Sequence, residues 1–148
     1  MAVLKASRTA QYVLQQEFTF NFNDTAVDTV AGTSKTFGSV VADALVFDAI
    51  PLPPNANVVG GELIVETAYD TGTTATISVG DSASATRYLG ATSLKSAART
   101  ALTLTGYRGA GENIRLTFAH AGTVPTVGKA TVRVQYTIQG RANESQIT

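Results

Sequence analysis

Two three-residue strings in the segment 66–82, ETAYDTGTTATISVGDS, match patterns that occur in hydrolase active sites. The first, Asp70-Thr71-Gly72, is the triplet of aspartic proteases. Such enzymes need two of these aspartates about 3 Å apart, so that the pair shares one proton. Here the triplet occurs once, between two strand-like runs, where Asp followed two positions later by Gly is typical of a tight turn. We therefore predict a hairpin turn at Asp70.

The second string, Gly80-Asp81-Ser82, lacks the partners that would activate a serine. His120 is the single histidine of the chain, and the position three residues before it is Thr117, which cannot orient an imidazole as a carboxylate does. An activated serine usually lies between a strand and a helix, whereas the residues after Ser82 lead to another strand-like run. The sequence therefore predicts no catalytic residue and no enzyme.

Metal and glycosidase sites are also poorly supported. His120 has no second histidine and no cysteine to complete a transition-metal site. A calcium site made of loop carboxylates stays an alternative, although no EF-hand spacing supports it. Glu62 and Glu66 share a strand face, but four residues of strand separate them by roughly 13 Å, beyond the usual spacing of glycosidase carboxylates. We predict no metal and no cofactor.

The composition is that of one small domain with a weakly charged surface. The chain has 148 residues, 15% of them charged, a net charge of zero and no cysteine. Its length is enough to bury a core without disulfides, and the absence of cysteine excludes a disulfide framework. The apolar runs at the N-terminus are too short for a signal peptide, and none approaches the roughly 20 residues of a membrane helix. We expect synthesis and folding in the cytoplasm and no contact with a membrane.

Charge is distributed unevenly along the chain. Residues 1–81 hold three basic and nine acidic side chains, whereas residues 82–148 hold eight basic and two acidic ones. One interpretation is that strands of the two halves interleave and pair these charges across a sheet. The other is a dipolar subunit that docks on its neighbour, in which case salt weakens assembly. The dispersed bases and the neutral total argue against a nucleic-acid partner.

Period-2 alternation of apolar residues is the strongest structural signal. It runs through Tyr12, Leu14, Phe18, Phe20 and Phe22, and again through the even positions 130–138. The other strand-like runs are DALVFDAI, NVVGGELIVETAY, TATISVG, ATRYL, TALTL and ENIRLTFA. Because crossover helices are missing, about eight such strands predict an all-β fold, an antiparallel β-sandwich of the eight-stranded jelly-roll type.

Two segments fall outside this pattern. In TSLKSAART, Ser93 is placed to cap a short helix. The stretch NDTAVDTVAGTSKTFGS has no apolar period, so we expect an exposed loop there. The whole chain is predicted to consist of an N-terminal arm (1–16), a sandwich domain (17–140) and a C-terminal tail (141–148).

Several phrases in order resemble the small head proteins of tailed bacteriophages known as decoration or cement proteins. They are PLPPNANVVGGELIVETAY, SVGDSASATRYLGATSL, GYRGAGENIRLTF and ATVRVQYTIQGRANE, within about residues 45–144. The resemblance implies a jelly-roll subunit, a trimer more often than a dimer, on the outer surface of the virion. There it would bind the major capsid protein where capsomers meet and hold the shell against internal pressure. It brings no catalytic motif.

On this interpretation the N-terminal arm docks on the capsid or on a neighbouring subunit, because its apolar side chains otherwise lack cover. The candidate docking residues are Val3, Leu4, Lys5, Arg8, Tyr12 and Leu14. The alternative is a carbohydrate-binding or adhesin module, since jelly rolls include many lectins. In that case Tyr69, Tyr88 and Tyr107 would stack on sugar rings.

Overall fold

A computed structural model of the chain describes residues 12–37 and 44–140. These residues form ten strands and no helix, so none of them belongs to a helix that could span a bilayer. The strands are β1 (Leu14–Asn21), β2 (Thr25–Val27), β3 (Ser34–Thr36), β4 (Leu45–Ile50), β5 (Ala56–Thr67), β6 (Thr74–Gly80), β7 (Leu89–Ser93), β8 (Ala98–Ala101), β9 (Ile114–Ala121) and β10 (Lys129–Ile138).

Eight of the strands build two four-stranded antiparallel sheets. The first sheet has the order β1-β10-β5-β8 and the second the order β4-β9-β6-β7. Four strand pairs are nested along the chain, each enclosing the next in sequence: β1–β10, β4–β9, β5–β8 and β6–β7. The pairing of β10 with β5 completes the first sheet, and the pairing of β9 with β6 completes the second. This nested pairing is the arrangement of a jelly roll. The predicted all-β antiparallel sandwich is confirmed, with the remaining strands β2 and β3 as an additional hairpin.

The core lies between the sheets because the strands alternate as their sequences predict. In β9 every second residue from Ile114 to His120 is buried, and the residues between them are partly exposed. In β10 the residues Ala130, Val132, Val134 and Tyr136 are buried opposite them. The period-2 pattern thus determines which side chains each of the two sheets contributes to the core.

The stretch 23–39, predicted as an exposed loop, contains within its described part 23–37 both the hairpin β2–β3 and a core residue. Phe37 is buried, with its ring centroid 5.0 Å from that of Phe20, 5.2 Å from that of Phe47 and 5.3 Å from that of Phe118. The loop prediction was wrong because these strands have only three residues each, too few for a period to be read.

The helix predicted at TSLKSAART is also absent. Ser93 ends β7, and its Oγ accepts a hydrogen bond from the Lys95 amide at 3.2 Å. Leu94 is fully buried and its amide donates to the carbonyl of Ala75. Ser93 therefore caps a turn between strands, because a buried leucine next to it anchors the backbone to the second sheet.

The connections between strands gather at two opposite ends of the sandwich. One end, which we call the valine end, consists of the connections 22–37, 68–73, 94–97 and 122–128. The other, which we call the terminal end, consists of the connections 51–55, 81–88 and 102–113. The described chain also begins at the terminal end, with Tyr12, and ends there, with Gly140.

Candidate interaction surfaces

Asp70, the acid of the protease-like triplet, fastens two connections at the valine end. Its carboxylate accepts hydrogen bonds from the amide and hydroxyl of Thr126 at 2.7 and 2.5 Å, and from the amide of Val127 at 3.2 Å. These bonds, led by that of the Thr126 hydroxyl, lower the pKa of Asp70. The connection bends at Gly72 and Thr73, two residues after Asp70, but the predicted hairpin does not form, because β5 and β6 belong to different sheets.

Asp81 has the same kind of role at the terminal end. It is buried, and its carboxylate accepts hydrogen bonds from the amides of Ala83 and Ser84 at 2.9 and 2.8 Å. It also forms an ion pair with Arg87. Burial alone would raise the pKa of this carboxyl, but the bonds from Arg87 and the two amides outweigh it and lower the pKa. Any other residue at position 80 would place its Cβ 2.6 Å from the carbonyl oxygen of Ala85. Glycine at this position therefore allows the connection 81–88 to fold over β6.

Ser82 and His120 lie at opposite ends of the sandwich. Ser82 is exposed in the connection 81–88, whereas His120 is buried in β9 opposite Ala75. Five residues of strand separate that register position from Gly80, which is roughly 17 Å. The structure therefore does not bring these two side chains together. Nor do the His, Asp and Glu residues of the described ranges form a cluster that could hold a metal ion.

The outer face of the first sheet is a ladder of ion pairs. Arg133 binds Glu17 at 2.6 Å and Glu62 at 3.0 Å, Arg99 binds Glu62 at 2.5 Å, and Lys129 binds Glu66 at 2.6 Å. Of the seven ion pairs between described residues, six join an acid of residues 1–81 to a base of residues 82–148. Pairing of the two halves across the sheets, one of the two interpretations of the charge pattern, is confirmed.

The outer face of the second sheet is small and nearly uncharged. The one ion pair that described residues form on it joins Asp48 and Arg115 at 2.8 Å, close to the terminal end. Short side chains on β6 and β9 that are exposed or partly exposed make up much of the rest of the face: Thr74, Thr76, Thr117, Ala119 and Ala121. Another protein can approach the backbone of such a face closely. Its binding costs little side-chain entropy, because short side chains have few rotamers to lose.

The three tyrosines predicted to stack on sugars do not form a platform. Tyr69 and Tyr88 are buried, and burial raises the pKa of both hydroxyls, that of Tyr88 to about 12. The ring of Tyr107 is covered on one face by the Arg87 guanidinium at 3.7 Å, and its hydroxyl donates to Glu112 at 2.9 Å. The stacking prediction was wrong because two of the rings fill the core.

Of the six candidate docking residues, four (Val3, Leu4, Lys5 and Arg8) lie outside the described residues. Tyr12 is 88% exposed, whereas Leu14 begins β1 opposite Tyr136 and packs against the core. The last part of the segment predicted as an arm thus belongs to the sheet, and the chain leaves the sheet before Leu14. Sequence reasoning did not identify the exposed valines of the valine end, since they lie in segments without a period.

Comparison with known proteins relates the fold to phage capsids. No protein-family model and no curated protein matches the chain by sequence. A chain of the cyanophage Pam1 capsid asymmetric unit superposes with a TM-score of 0.63 at 24% identity, over 93% of this chain and 94% of that chain. The two chains share one fold. A chain of the acidic stable capsid structure of Helicobacter pylori bacteriophage KHP30 has a TM-score of 0.58 at 18% identity, over 85% and 87% of the two chains.

Proposed function

We propose that this chain is a structural virion protein that binds the outer surface of a tailed-phage capsid and cements neighbouring capsomers. The observation that carries the proposal is the likeness to a chain of a phage capsid structure over 93% of this chain and 94% of the other. The two chains therefore correspond along nearly their whole length. The resemblance of the sequence to decoration proteins points in the same direction.

The described surface suits a protein that works by many repeated contacts. The second sheet presents short side chains to solvent, and the charges of the first sheet are engaged within the chain. A shell protein present in many copies needs only modest affinity at each site, because the contacts act together. In this proposal its partners are the major capsid protein and further copies of itself, as a trimer or a dimer, and it performs no catalysis.

The N-terminal arm is proposed as the docking element. Tyr12 and Val13, the first described residues, face solvent directly before β1 begins. Tyrosine is among the residue types that most often anchor a protein partner, so Tyr12 is a suitable anchor.

The proposal is tested with expanded shells that lack this protein. We expect the full chain to bind until a fixed copy number per capsomer is reached, and to raise the temperature at which the shells break. Deletion of residues 1–10 should abolish binding while the melting temperature of the isolated protein stays nearly unchanged. Deletion of residues 141–148 serves as the matched control of similar size.

The two parts of the proposal fail separately. If the full chain does not bind shells at any concentration, the cementing function is wrong. If the chain without residues 1–10 reaches normal occupancy, the arm is not the docking element, although the function stands.

A further inference from the structure

Among the described residues the two sheets end in four edge strands, and three of these carry a feature that hinders pairing with another chain. Natural edge strands are short, charged, bulged or covered, because their unpaired backbone groups otherwise attract a further strand. The hairpin β2–β3 covers β4, and β8 has only four residues, one of them Arg99. The pairing of β7 with β6 has a register shift between Ile77 and Val79. The fourth edge strand, β1, has none of these features.

Strand β1 is the longest and most regular of the four edge strands. Its eight residues pair with β10 in one unbroken register, from Leu14 opposite Tyr136 to Asn21 opposite Lys129. It contains no proline and no lysine. Its one charged side chain, Glu17, is already bound by Arg133 at 2.6 Å. The other edge of β1 therefore offers a straight template for a further strand.

The backbone groups that β1 directs away from β10 belong to its odd-numbered residues. Phe22 continues the register and donates its amide to the carbonyl of Gly128 at 3.0 Å, which places the bonds to β10 on even positions. At Asn21, accordingly, the amide donates to the Asp24 carboxylate at 2.8 Å, and the carbonyl accepts the Asp24 amide at 3.2 Å. The remaining outward amides and carbonyls have no backbone partner among the described residues, and they belong to Gln15, Glu17 and Thr19.

We propose that β1 of one copy pairs with β1 of a second copy, in antiparallel orientation about a two-fold axis at Glu17. The turn at Asp24 occupies the outward groups of Asn21, so the open stretch runs from Gln15 to Thr19 and Glu17 is its midpoint. In this register Gln15 lies opposite Thr19 of the second copy, and Glu17 lies opposite Glu17. Every open backbone group of both strands then has a partner. The first sheets of the two copies become one sheet of eight strands.

A second copy fits this edge because the edge complements itself. Hydrogen bonds between the main chains supply the attraction, as in other cases of strand addition. On the core side, half-buried Phe18 gains cover from Gln16 of the second copy. On the outer side, the two Glu17 carboxylates form a like-charge pair, but each keeps its own Arg133 on the other flank. The contact is isologous and closes on two copies.

This inference rests on the self-association that the proposed function includes, and it names the strand through which two copies meet. An edge contact of five residues is smaller than most stable interfaces, so the dimer should be weak in dilute solution. On a shell that holds many copies close together, the same contact becomes effective, because the local concentration is high.

The first experiment uses the absence of cysteine from the chain, so that one introduced thiol reports on one contact. Glu17→Cys places a thiol on the two-fold axis, where Cα atoms of a hydrogen-bonded pair are about 5.5 Å apart, within the range of a disulfide. Ala101→Cys is the matched control at the outer edge of β8. That side chain is exposed, and the bond from the Leu102 amide to Gly61 shows that the backbone groups of Ala101 also point outward.

Under mild oxidation we expect Glu17→Cys to form cross-linked dimers at least about tenfold faster than Ala101→Cys. Thr19→Cys alone should not cross-link, because its counterpart lies four residues away along the strand, roughly 13 Å. A mixture of Thr19→Cys with Gln15→Cys should cross-link, since these positions are opposite each other in the proposed register.

The second experiment measures reversible association by sedimentation, up to about 1 mM protein. Gln15→Pro removes an outward amide and leaves the bonds to β10 intact, so we expect association about tenfold weaker than that of the wild type. Ala101→Pro is the control and should associate as the wild type does. Glu17→Gln should associate about two- to fivefold more tightly, because it removes the like-charge pair. Melting temperatures verify that each variant is folded.

Three outcomes would overturn the inference. If Glu17→Cys cross-links no faster than Ala101→Cys, the two β1 edges do not meet at Glu17. If folded Gln15→Pro associates as the wild type does, another surface joins the copies. If the wild type shows no association at about 1 mM, this edge is left to a different partner. The cysteine variants keep the test valid even where a proline variant fails to fold. Shell binding by the wild type is measured independently, so failure of the cementing proposal remains distinguishable from each result.

Discussion

At the scale of single residues, two buried aspartates hold turns in the structure, and one of them, Asp81, belongs to a hydrolase-like string of the sequence. Asp28 and Asp81 each accept hydrogen bonds from the amides two and three positions later. Both also bind a base, Lys35 in one case and Arg87 in the other. A carboxylate that accepts two amides and one cation is fully engaged, and it stabilises the folded state only while it is ionised.

Asp28 therefore makes the stability depend on pH in acid. The bonds from Ala31 and Lys35 lower its pKa from 3.8 to about 2. A depressed pKa contributes stability above the unfolded value, and this contribution is lost as the pH falls through the folded value. We expect Asp28→Asn to cost roughly 1–2 kcal/mol near pH 6, and the difference from the wild type to shrink between pH 4 and pH 2. Urea unfolding of both proteins across this range measures it, and a gap that does not change with pH would contradict the assignment.

At the scale of elements, the hairpin β2–β3 belongs to the sandwich. Thr29 donates its amide to the carbonyl of Val46 at 2.7 Å, which attaches the hairpin to the free edge of β4. Phe37 follows the hairpin and enters the aromatic cluster between the sheets. Edge strands that are covered in this way are protected from pairing with other chains.

Phe37 is expected to be one of the most sensitive positions of the chain. Replacing it with alanine removes a fully buried ring from between three others, so we expect a loss of about 3–5 kcal/mol in the free energy of unfolding. Val30→Ala, at the exposed tip of the same hairpin, should change it by less than about 0.5 kcal/mol. Equal effects of the two substitutions in denaturant unfolding would show that the connection contributes nothing to the core.

At the scale of the whole molecule, tertiary pairing removes most of the charge asymmetry of the sequence. The acidic and basic halves interleave, because nested pairing puts β10 between β1 and β5. Arg133 therefore meets Glu17 and Glu62 on its two sides. A dipole between the acidic and basic halves of the sequence does not survive in the fold, because most of these charges pair within the chain.

The fold has a single core and a sequence without cysteine, so we expect one cooperative unfolding transition that needs neither metal nor disulfide. Thermal unfolding is followed by circular dichroism and tyrosine fluorescence, with EDTA, with a reductant and without either. All three melting temperatures should agree within about 1 °C, because ligands that bind the folded state alone would shift them. A drop of several degrees with EDTA would favour the alternative of a calcium site formed by loop carboxylates.

Long alternating segments were predictable, and short or irregular ones were not. The runs that became β5, β9 and β10 are long enough for a period-2 pattern, and each proved to be a strand with its apolar face buried. The hairpin β2–β3 and the turn at Ser93 depend on single buried residues, Phe37 and Leu94, whose partners are distant in sequence. Their contacts cannot be read from local pattern, since they form only after the sheets have assembled.

The sequence by itself determined the all-β class and the antiparallel sandwich, because alternation selects which face of each strand is buried. It also predicted a change of chain direction after Asp70, although not that this connection joins two sheets. Only the tertiary structure decided which strands are neighbours, and with them the ion pairs, the burial of Tyr69 and Tyr88 and the placement of exposed valines at one end. The reason is physical: local pattern acts between adjacent residues, whereas pairing between strands more than a hundred residues apart, such as β1 and β10, depends on the packing of the whole core.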